Sequence, residues 1–428
     1  MKVLLVNPPV YDFALYDFWL KPYGLLRIAS ALRNQGMDFD FFDFLDRGHN
    51  FYENLKLKTD TYGRGKFYSD EVKKPEVLSF MRRKFKRYGI PLSVFLEEIK
   101  GNSYDYVLIA TGMTYWYIGV KEIIEVTERL LPEAKIVVGG VAATLMPVFY
   151  QKLGADIVVR GDDWDVLTGS GLEIDPSNEL PLYDVYTKLN YAVIRITEGC
   201  PLRCLYCASS ILKPGFRVSD VEQVADLVEQ LYNKRAIRDF VFYDDALLYG
   251  IDEGLLKFFK ELEERKLIGK VRFHTPNALH VRKIDEDTAR FLKKMGFETI
   301  YLGVETINPL LLKQVGEKLS FSDLEVALMN LKMAGFEGSQ ITAYILLGLP
   351  GQDFEEVEES IRVLSKYGIN VSLSEFSPIP GTPVGDQAIN SLNLKDPLLT
   401  NNSVFPTLLY GFERVNYLKN LKINLSRT

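Results

Sequence analysis

The sequence predicts an α/β protein with two consecutive parallel-sheet units. A doubly wound N-terminal sheet is followed by an open, six-unit (β/α) partial barrel of the TIM type and a short C-terminal helical tail. Three observations predict it. Short apolar runs alternate with stretches of helical spacing twice along the chain. Between the two series, residues 166–190 are rich in Gly, Pro, Ser and Asn and read as a linker. All three cysteines, Cys200, Cys204 and Cys207, lie in one loop, EGCPLRCLYC, directly after the first strand of the second series.

The chain of 428 residues is 47% hydrophobic, 25% charged and 12% aromatic, with a formal net charge of −6. That balance gives no sign of a nucleic-acid-coating protein. No stretch approaches the roughly 18–20 apolar residues of a membrane span. The opening MKVLLVNPPV has too short an apolar core for a signal peptide. Three clustered cysteines exclude a stapled secreted scaffold and point to a reducing compartment, so the expected location is cytoplasmic.

In the front unit (1–165), KVLLV is a strand that stops at Pro8-Pro9, because proline has no amide hydrogen to donate. GLLRIASALRNQG carries helical spacing at Leu25, Ile28, Ala29 and Leu32 and ends at Gly36 as a C-cap. FDFF, YDYVLIAT, AKIVVGG and ADIVVRGD are the further strands. Parallel sheets bind ligands at the carboxyl ends of their strands, which here are the loops NPPVYD, TGMTYW, GGVAAT and RGDD. An insertion at about 47–100 holds a basic run, Arg82, Arg83, Lys84, Lys86 and Arg87. It reads as a solvated helix face, with an anion-binding surface or lid as the alternative. Its GRGK lacks the spacing and the Ser/Thr of a P-loop.

The second unit (191–390) has six strand candidates: YAVIRIT, DFVFYDD, VRFHTPN, TIYLGVET, QITAYILLGLP and VSLSEFSPIP. Its chemistry is expected at their carboxyl ends. Residues 391–428 form a tail closing on the helix YGFERVNYLKNLK.

Thiolates bind zinc or iron–sulfur clusters. A zinc site needs a fourth ligand, and only His49, His274 and His280 exist to complete it. A cluster of four irons held by three thiolates leaves one iron open, which suits a site that binds a substrate at the cluster.

CPLRCLYC is similar to the CxxxCxΦC motif of the radical S-adenosylmethionine (SAM) enzymes, with Tyr206 as the aromatic residue before the last cysteine. The resemblance covers residues 191–390. It implies a 4Fe–4S cluster on Cys200, Cys204 and Cys207, with SAM chelating the open iron and cleaved reductively to a 5′-deoxyadenosyl radical. It further implies that Asp244 or Asp245 in FVFYDDALL holds the methionine ammonium and that Glu305 in LGVET accepts from the ribose. Leu347 and Gly348 in ILLGLPGQ would pack on adenine, and the loop at Pro380 in SEFSPIPGTP would meet its edge. His274 and Asn277 are expected at the barrel mouth as substrate contacts; for His274 a structural role stands beside that one.

VNPP, YGLLRIASALRNQG, VVGGVAATLMP and VVRGDDWDVL ahead of such a barrel resemble the cobalamin-binding class of these enzymes, making the front unit a Rossmann-like sheet of the cobalamin-binding type. Its members typically bind a corrin between sheet edge and barrel mouth, and many are methyltransferases. Pro9, Tyr115, Gly139, Gly140, Ala142 and Thr144 occupy the corresponding loops. The family's GGPHAT-like loop has Ala142 where the histidine stands, and no DxHxxG segment follows the first strand, so no residue is placed to ligate cobalt from below. A corrin held without that ligand and a sheet kept only as scaffold are both open.

The expected activity is thus cobalamin-dependent methyl transfer to an unactivated carbon of a small molecule, lipid or peptide, with flavodoxin or ferredoxin as reductant. The alternatives are hydrogen abstraction without cobalamin, for rearrangement, cyclisation or carbon–carbon bond formation, and a non-catalytic iron–sulfur electron carrier. With all three cysteines committed to one cluster, none remains for an auxiliary one.

Overall fold

The computed structural model describes residues 1–55, 57–316 and 318–425. It contains two compact units, Met1–Asn190 with Asp396–Leu398, and Tyr191–Lys395 with the chain from Leu399 onward.

The first unit is built on five parallel strands: β1 (Lys2–Asn7), β2 (Asp38–Asp43), β3 (Tyr106–Thr111), β4 (Lys135–Gly140) and β5 (Ile157–Val159). Their order is β5-β4-β3-β1-β2, and every neighbouring pair is parallel. Read from β2, this is the doubly wound order 2-1-3-4-5, whose connections leave β1 in opposite directions to either side. The crevice of such a sheet opens at the carboxyl ends of β1 and β3. The four central residues of β1 are all buried, as a strand covered on both faces requires. The helix Tyr23–Asn34 buries Leu25, Leu26, Ala29 and Leu32, and Gly36 follows at φ +68°, the left-handed turn expected there.

The basic run is not a helix face. Lys86–Tyr88 is the middle strand of a small antiparallel sheet, between Val10–Asp12 and Ser69–Glu71. Arg87 is buried: its Nε lies 3.2 Å from Glu122, its Nη1 donates to the Ile90 carbonyl at 2.8 Å, and its guanidinium covers the Phe44 ring. Lys84 pairs with Glu71 at 2.6 Å. Charge composition misled here because arginine buries its stem and satisfies its head internally. Residues 166–190 do not run free as a linker either. Leu167, Leu172, Ile174 and Leu182 are buried with Val3, Leu5, Tyr106 and Leu108 against one face of the sheet.

The second unit is an open partial barrel of six parallel strands in sequential order: β6 (Ala192–Ile194), β7 (Asp239–Phe242), β8 (Arg272–His274), β9 (Phe297–Glu305), β10 (Ile341–Leu347) and β11 (Asn370–Glu375). The helices Val221–Arg235, Glu286–Lys294, Phe321–Met333 and Phe354–Ser365 alternate with them. Asp239 sits opposite Arg272 and Phe240 opposite Phe273, so acidic and basic residues share one face and phenylalanines the other. Phe240, Phe242, Phe258, Phe273 and Phe297 pack together, with Phe242 and Phe297 stacked at 5.7 Å. Burying each such ring contributes about 1.5–3 kcal/mol. After β11 comes the helix Pro383–Ser391, and the tail then forms two α-helices, Phe405–Tyr410 and Phe412–Leu425, broken at Gly411, rather than one.

One close approach fixes the front crevice. A Cβ on Gly119, in the helix Tyr117–Leu130, would lie 1.7 Å from the Pro9 carbonyl oxygen, whereas one on Gly24 would meet nothing within 4 Å. Gly119→Ala is therefore expected to cost about 1–3 kcal/mol through overpacking, and Gly24→Ala to be neutral or stabilising by up to about 1 kcal/mol. Urea unfolding of the two variants checks this; equal midpoints would contradict it.

Candidate active site

The site is built where β6 ends. Thr197–Gly199 pairs antiparallel with Phe216–Val218 and forms the base of the cysteine loop. Gly199, at φ +75°, has no room for a side chain, since a Cβ would stand 2.1 Å from the Gly215 carbonyl oxygen. The far side of the loop is registered by backbone bonds. Leu205 N donates to the Val315 carbonyl (3.2 Å), Val384 N to the Leu205 carbonyl (3.1 Å), and Cys207 N to the Cys204 carbonyl (3.1 Å). None of the three half-buried thiols is in a disulfide; Cys200 feels the charge of Cys204 and Cys207, and Cys204 that of Cys207. Burial pushes the Cys200 and Cys204 thiols up, and the nearby Lys318 ammonium partly offsets this at Cys204. Among the described residues no three His, Cys, Asp or Glu side chains converge on a single-ion position. A four-iron cluster asks for something else: thiolates standing apart, each on its own iron. Three half-buried thiols, none in a disulfide and all in one electrostatic neighbourhood, fit that group.

Asp244 and Asp245 follow β7 and are used differently. Asp244 is 2% exposed, and its Oδ1 accepts from Ile196 N (3.0 Å), Thr197 N (2.5 Å) and Thr197 Oγ1 (2.8 Å). It thereby ties the chain entering the cysteine loop to the second strand. Its Oδ2 is buried without a partner. Burial raises its pKa to about 7. Asp245 is half-buried, bonds Ser209 beyond the third cysteine, and acts electrostatically on Cys200. Of the two, Asp245 is the one facing the thiols.

Glu305 ends β9 at φ +69°, a strained conformation for a side-chain-bearing residue. It is buried and ion-paired with Lys318, and the Tyr206 hydroxyl bonds to it. Burial, then the Glu305 charge, drives the Tyr206 pKa well up. Leu347 is fully buried at the end of β10. Gly348 follows at φ +108°, its N–H donating to Gln352 Oε1 at 2.9 Å. Pro380 is half-buried on the loop after β11; a Cβ on the next residue, Gly381, would lie 3.4 Å from Ile211, just past the cysteine loop.

His274 is not at the mouth. It is wholly buried, with Nδ1 3.0 Å from Thr299 Oγ1 and Nε2 3.0 Å from Asp239 Oδ1, so both ring nitrogens are engaged inside the barrel. Asn277 is exposed and donates to the Tyr243 carbonyl. His280 packs on Tyr249, which feels the charge of Cys200 and Cys204. The histidine stands edge-on to that ring at 5.1 Å, with Nδ1 unpartnered, and burial together with Lys318 and Lys283 lowers its pKa to about 4. Lys318, His280 and Tyr249 carry no motif, and only the curvature of the barrel brings their loops together.

In the first unit, Pro9 is buried beneath Gly119, and Tyr115 is 2% exposed and edge-on to Trp116. Gly139 and Gly140 end β4. Gly140, at φ +104°, lies against Thr111, whose carbonyl oxygen would be 2.7 Å from a Cβ. Ala142 is fully buried. Thr144 Oγ1 donates to the Gly140 carbonyl and accepts from Gly161 N, both at 2.8 Å.

Comparison with known proteins agrees with this architecture. Residues 194–364 match the Radical SAM superfamily and residues 88–169 the B12 binding domain. An anaerobic magnesium-protoporphyrin IX monomethyl ester cyclase of Cereibacter sphaeroides is 22% identical over 68% of this chain and 54% of its own length. An uncharacterised methyltransferase of Pyrococcus horikoshii is 25% identical over 50% of this chain and 46% of its own. The chain thus spans about half the length of these relatives. Among solved structures, the radical SAM methyltransferase TsrM of Kitasatospora setae, with tryptophan and a SAM analogue bound, superposes with a TM-score of 0.66. It is 17% identical, over 91% of this chain and 76% of TsrM. The cobalamin-dependent radical enzyme OxsB, with aqua-cobalamin and SAM, gives 0.58 at 13% identity, over 97% of this chain and 56% of OxsB.

The raised Asp244 pKa makes a pH prediction. The native state holds this proton more tightly than the unfolded chain, so its stabilising contribution at low pH is lost as pH rises from the ordinary 3.8 to about 7. The stability of the natural protein relative to Asp244→Asn should fall across that window and level off above it. A difference independent of pH, in urea titrations, would contradict the assignment.

With the three-thiol loop following the first strand of the open six-stranded barrel, residues 194–364 belong to the radical SAM superfamily, and residues 88–169 of the preceding unit match the B12 binding domain.

Proposed function

We propose that the protein is a cobalamin-dependent radical SAM methyltransferase acting on an unactivated carbon of a small molecule, lipid or peptide. The observation that carries the reading is the lone three-thiol loop in a chain whose other unit matches the B12 binding domain. On this reading Cys200, Cys204 and Cys207 hold a 4Fe–4S cluster. Asp245 accepts from the SAM ammonium and Glu305 from the ribose, while Leu347, Gly348 and Pro380 line the adenine side. Together the cluster and SAM supply reductive cleavage of the sulfonium bond. The chain's own residues bind and orient: Asp244 holds the loop base, Tyr206 holds Glu305, and half-burial of the thiols limits water. Flavodoxin or ferredoxin would deliver the electron. No helix among the described residues is long and apolar enough to cross a membrane. A cytoplasmic site of action suits the three free thiols.

Corrin binding is supported by exposed apolar side chains following the carboxyl ends of the front sheet: Met113 (48% exposed), Val141 (41%), Val148 (58%) and Val166 (41%). His280 and Asn277 are the candidate substrate contacts.

A second reading, radical hydrogen abstraction without cobalamin, is favoured by Ala142 in the place of the family's histidine. Anaerobic reconstitution with iron, sulfide and hydroxocobalamin separates the two. Methyl transfer expects about four irons and one cobalt per chain, with S-adenosylhomocysteine and a methylated product. Iron without cobalt, with 5′-deoxyadenosine and no methylated product, would establish the second. Cys204→Ala should lose the cluster iron and all SAM cleavage while keeping its far-UV dichroism; a variant that still cleaves SAM would overturn the ligand assignment.

A further inference from the structure

Lys318 is the basic residue that the thiol site recruits from outside its own loop. Its side chain is only 14% exposed and is ion-paired with Glu305, itself 10% exposed. Three backbone features deliver it there. Leu205 N bonds to Val315, registering the segment before Lys318 on the cysteine loop. Gly316, at φ +118°, lets that segment approach until a Cβ would be 3.3 Å from the Cys204 Cα. Gly303, on β9, leaves bare the space that the ammonium fills, since a Cβ there would stand 2.5 Å from Lys318 Nζ. Opposite, Glu305 adopts a left-handed backbone at the strand end that carries its carboxylate to the pair. The charge of Lys318 acts on both Cys204 and Cys207, and at Cys204 it outweighs that of Glu305.

A cation fixed beside cluster thiolates in a water-poor site stabilises the added electron, because charge interactions there are weakly screened and net local charge governs cluster potential. We propose that the Glu305–Lys318 pair sets the reduction potential of the cluster on Cys200, Cys204 and Cys207, with Lys318 raising it and Glu305 holding it down. The pair is a charge-setting device acting through its position beside the ligands. The inference rests on the cluster assignment made above.

The test is an EPR-monitored redox titration of the reconstituted full chain without SAM, at pH 8.5, in which one electron passes from dithionite, itself oxidised, to the cluster. Lys318→Gln is expected to lower the midpoint, Glu305→Gln to raise it, and Lys318→Arg to restore it. A merely structural pair would not shift the potential with opposite signs. If Lys318→Gln fails to retain iron, Gly303→Ala, whose methyl would press hardest on the Lys318 ammonium (2.5 Å) and less on Glu305 Oε1 (3.1 Å), should lower the midpoint instead. Unchanged midpoints in iron-loaded variants would overturn the inference and leave the cluster assignment standing. A natural protein that takes up no cluster would overturn both.

Discussion

The second unit depends on one buried carboxylate. Asp244 Oδ1 gathers the amides of Ile196 and Thr197 and the Thr197 hydroxyl, where the chain enters the strand that leads to the thiols. Hydrogen bonds to a charged acceptor are worth about 1.5–3 kcal/mol each, and leaving their donors unpaired in the core costs as much again. The geometry of the loop is therefore set by the second strand rather than by the loop itself. A site that must hold three ligands at fixed separation cannot rely on a flexible segment. The cost is the stranded Oδ2, which has no donor and holds the acid close to neutrality.

From that anchor the remaining geometry follows by close backbone approach. Gly199 is pressed on Gly215, Gly316 on Cys204 and Gly303 on the Lys318 ammonium, and each contact excludes a Cβ or forces a neighbour to move. The loop is thus clamped from its base and from the segment following β9. The second clamp brings Glu305, Lys318 and Tyr206 together beside Cys204.

All eleven strands of the two parallel sheets were legible in the sequence, because strands buried on both faces read as short apolar runs between helical periods. The cysteines were legible because a spaced ligand set is local. What failed was whatever depends on partners distant in sequence. Periodicity could not separate His274, locked to Asp239, from His280 six residues on, which stands beside Lys318 and Tyr249, because those partners are distant in sequence. Arg87 looked solvated because nothing in MRRKFKRYG announces Glu122 and Phe44. Lys318 was invisible for the same reason: its role comes from Gly303 and Glu305. The composition of 166–190 reads as a linker, yet Leu167, Leu172, Ile174 and Leu182 are spaced to reach the sheet face.

The front unit separates residues that serve packing from residues that address a ligand. Gly140 is glycine because Thr111 leaves no room for a Cβ, and Ala142 is small because it is sealed inside the core. Thr144 closes the turn between β4 and β5 with both hydrogen bonds of its hydroxyl. A sheet with no ligand at all would select these same residues, so the motif they form testifies to the fold. The apolar side chains left in solvent beyond the strand ends are different: Met113, Val141, Val148 and Val166 gain nothing from exposure. An isolated one would be ordinary, but four follow the carboxyl ends of β3, β4 and β5, the end at which a 2-1-3-4-5 sheet takes its ligand. These exposed residues speak for a large flat apolar cofactor, and Ala142, sealed in the core where the family's loop carries a histidine, leaves that surface as it is.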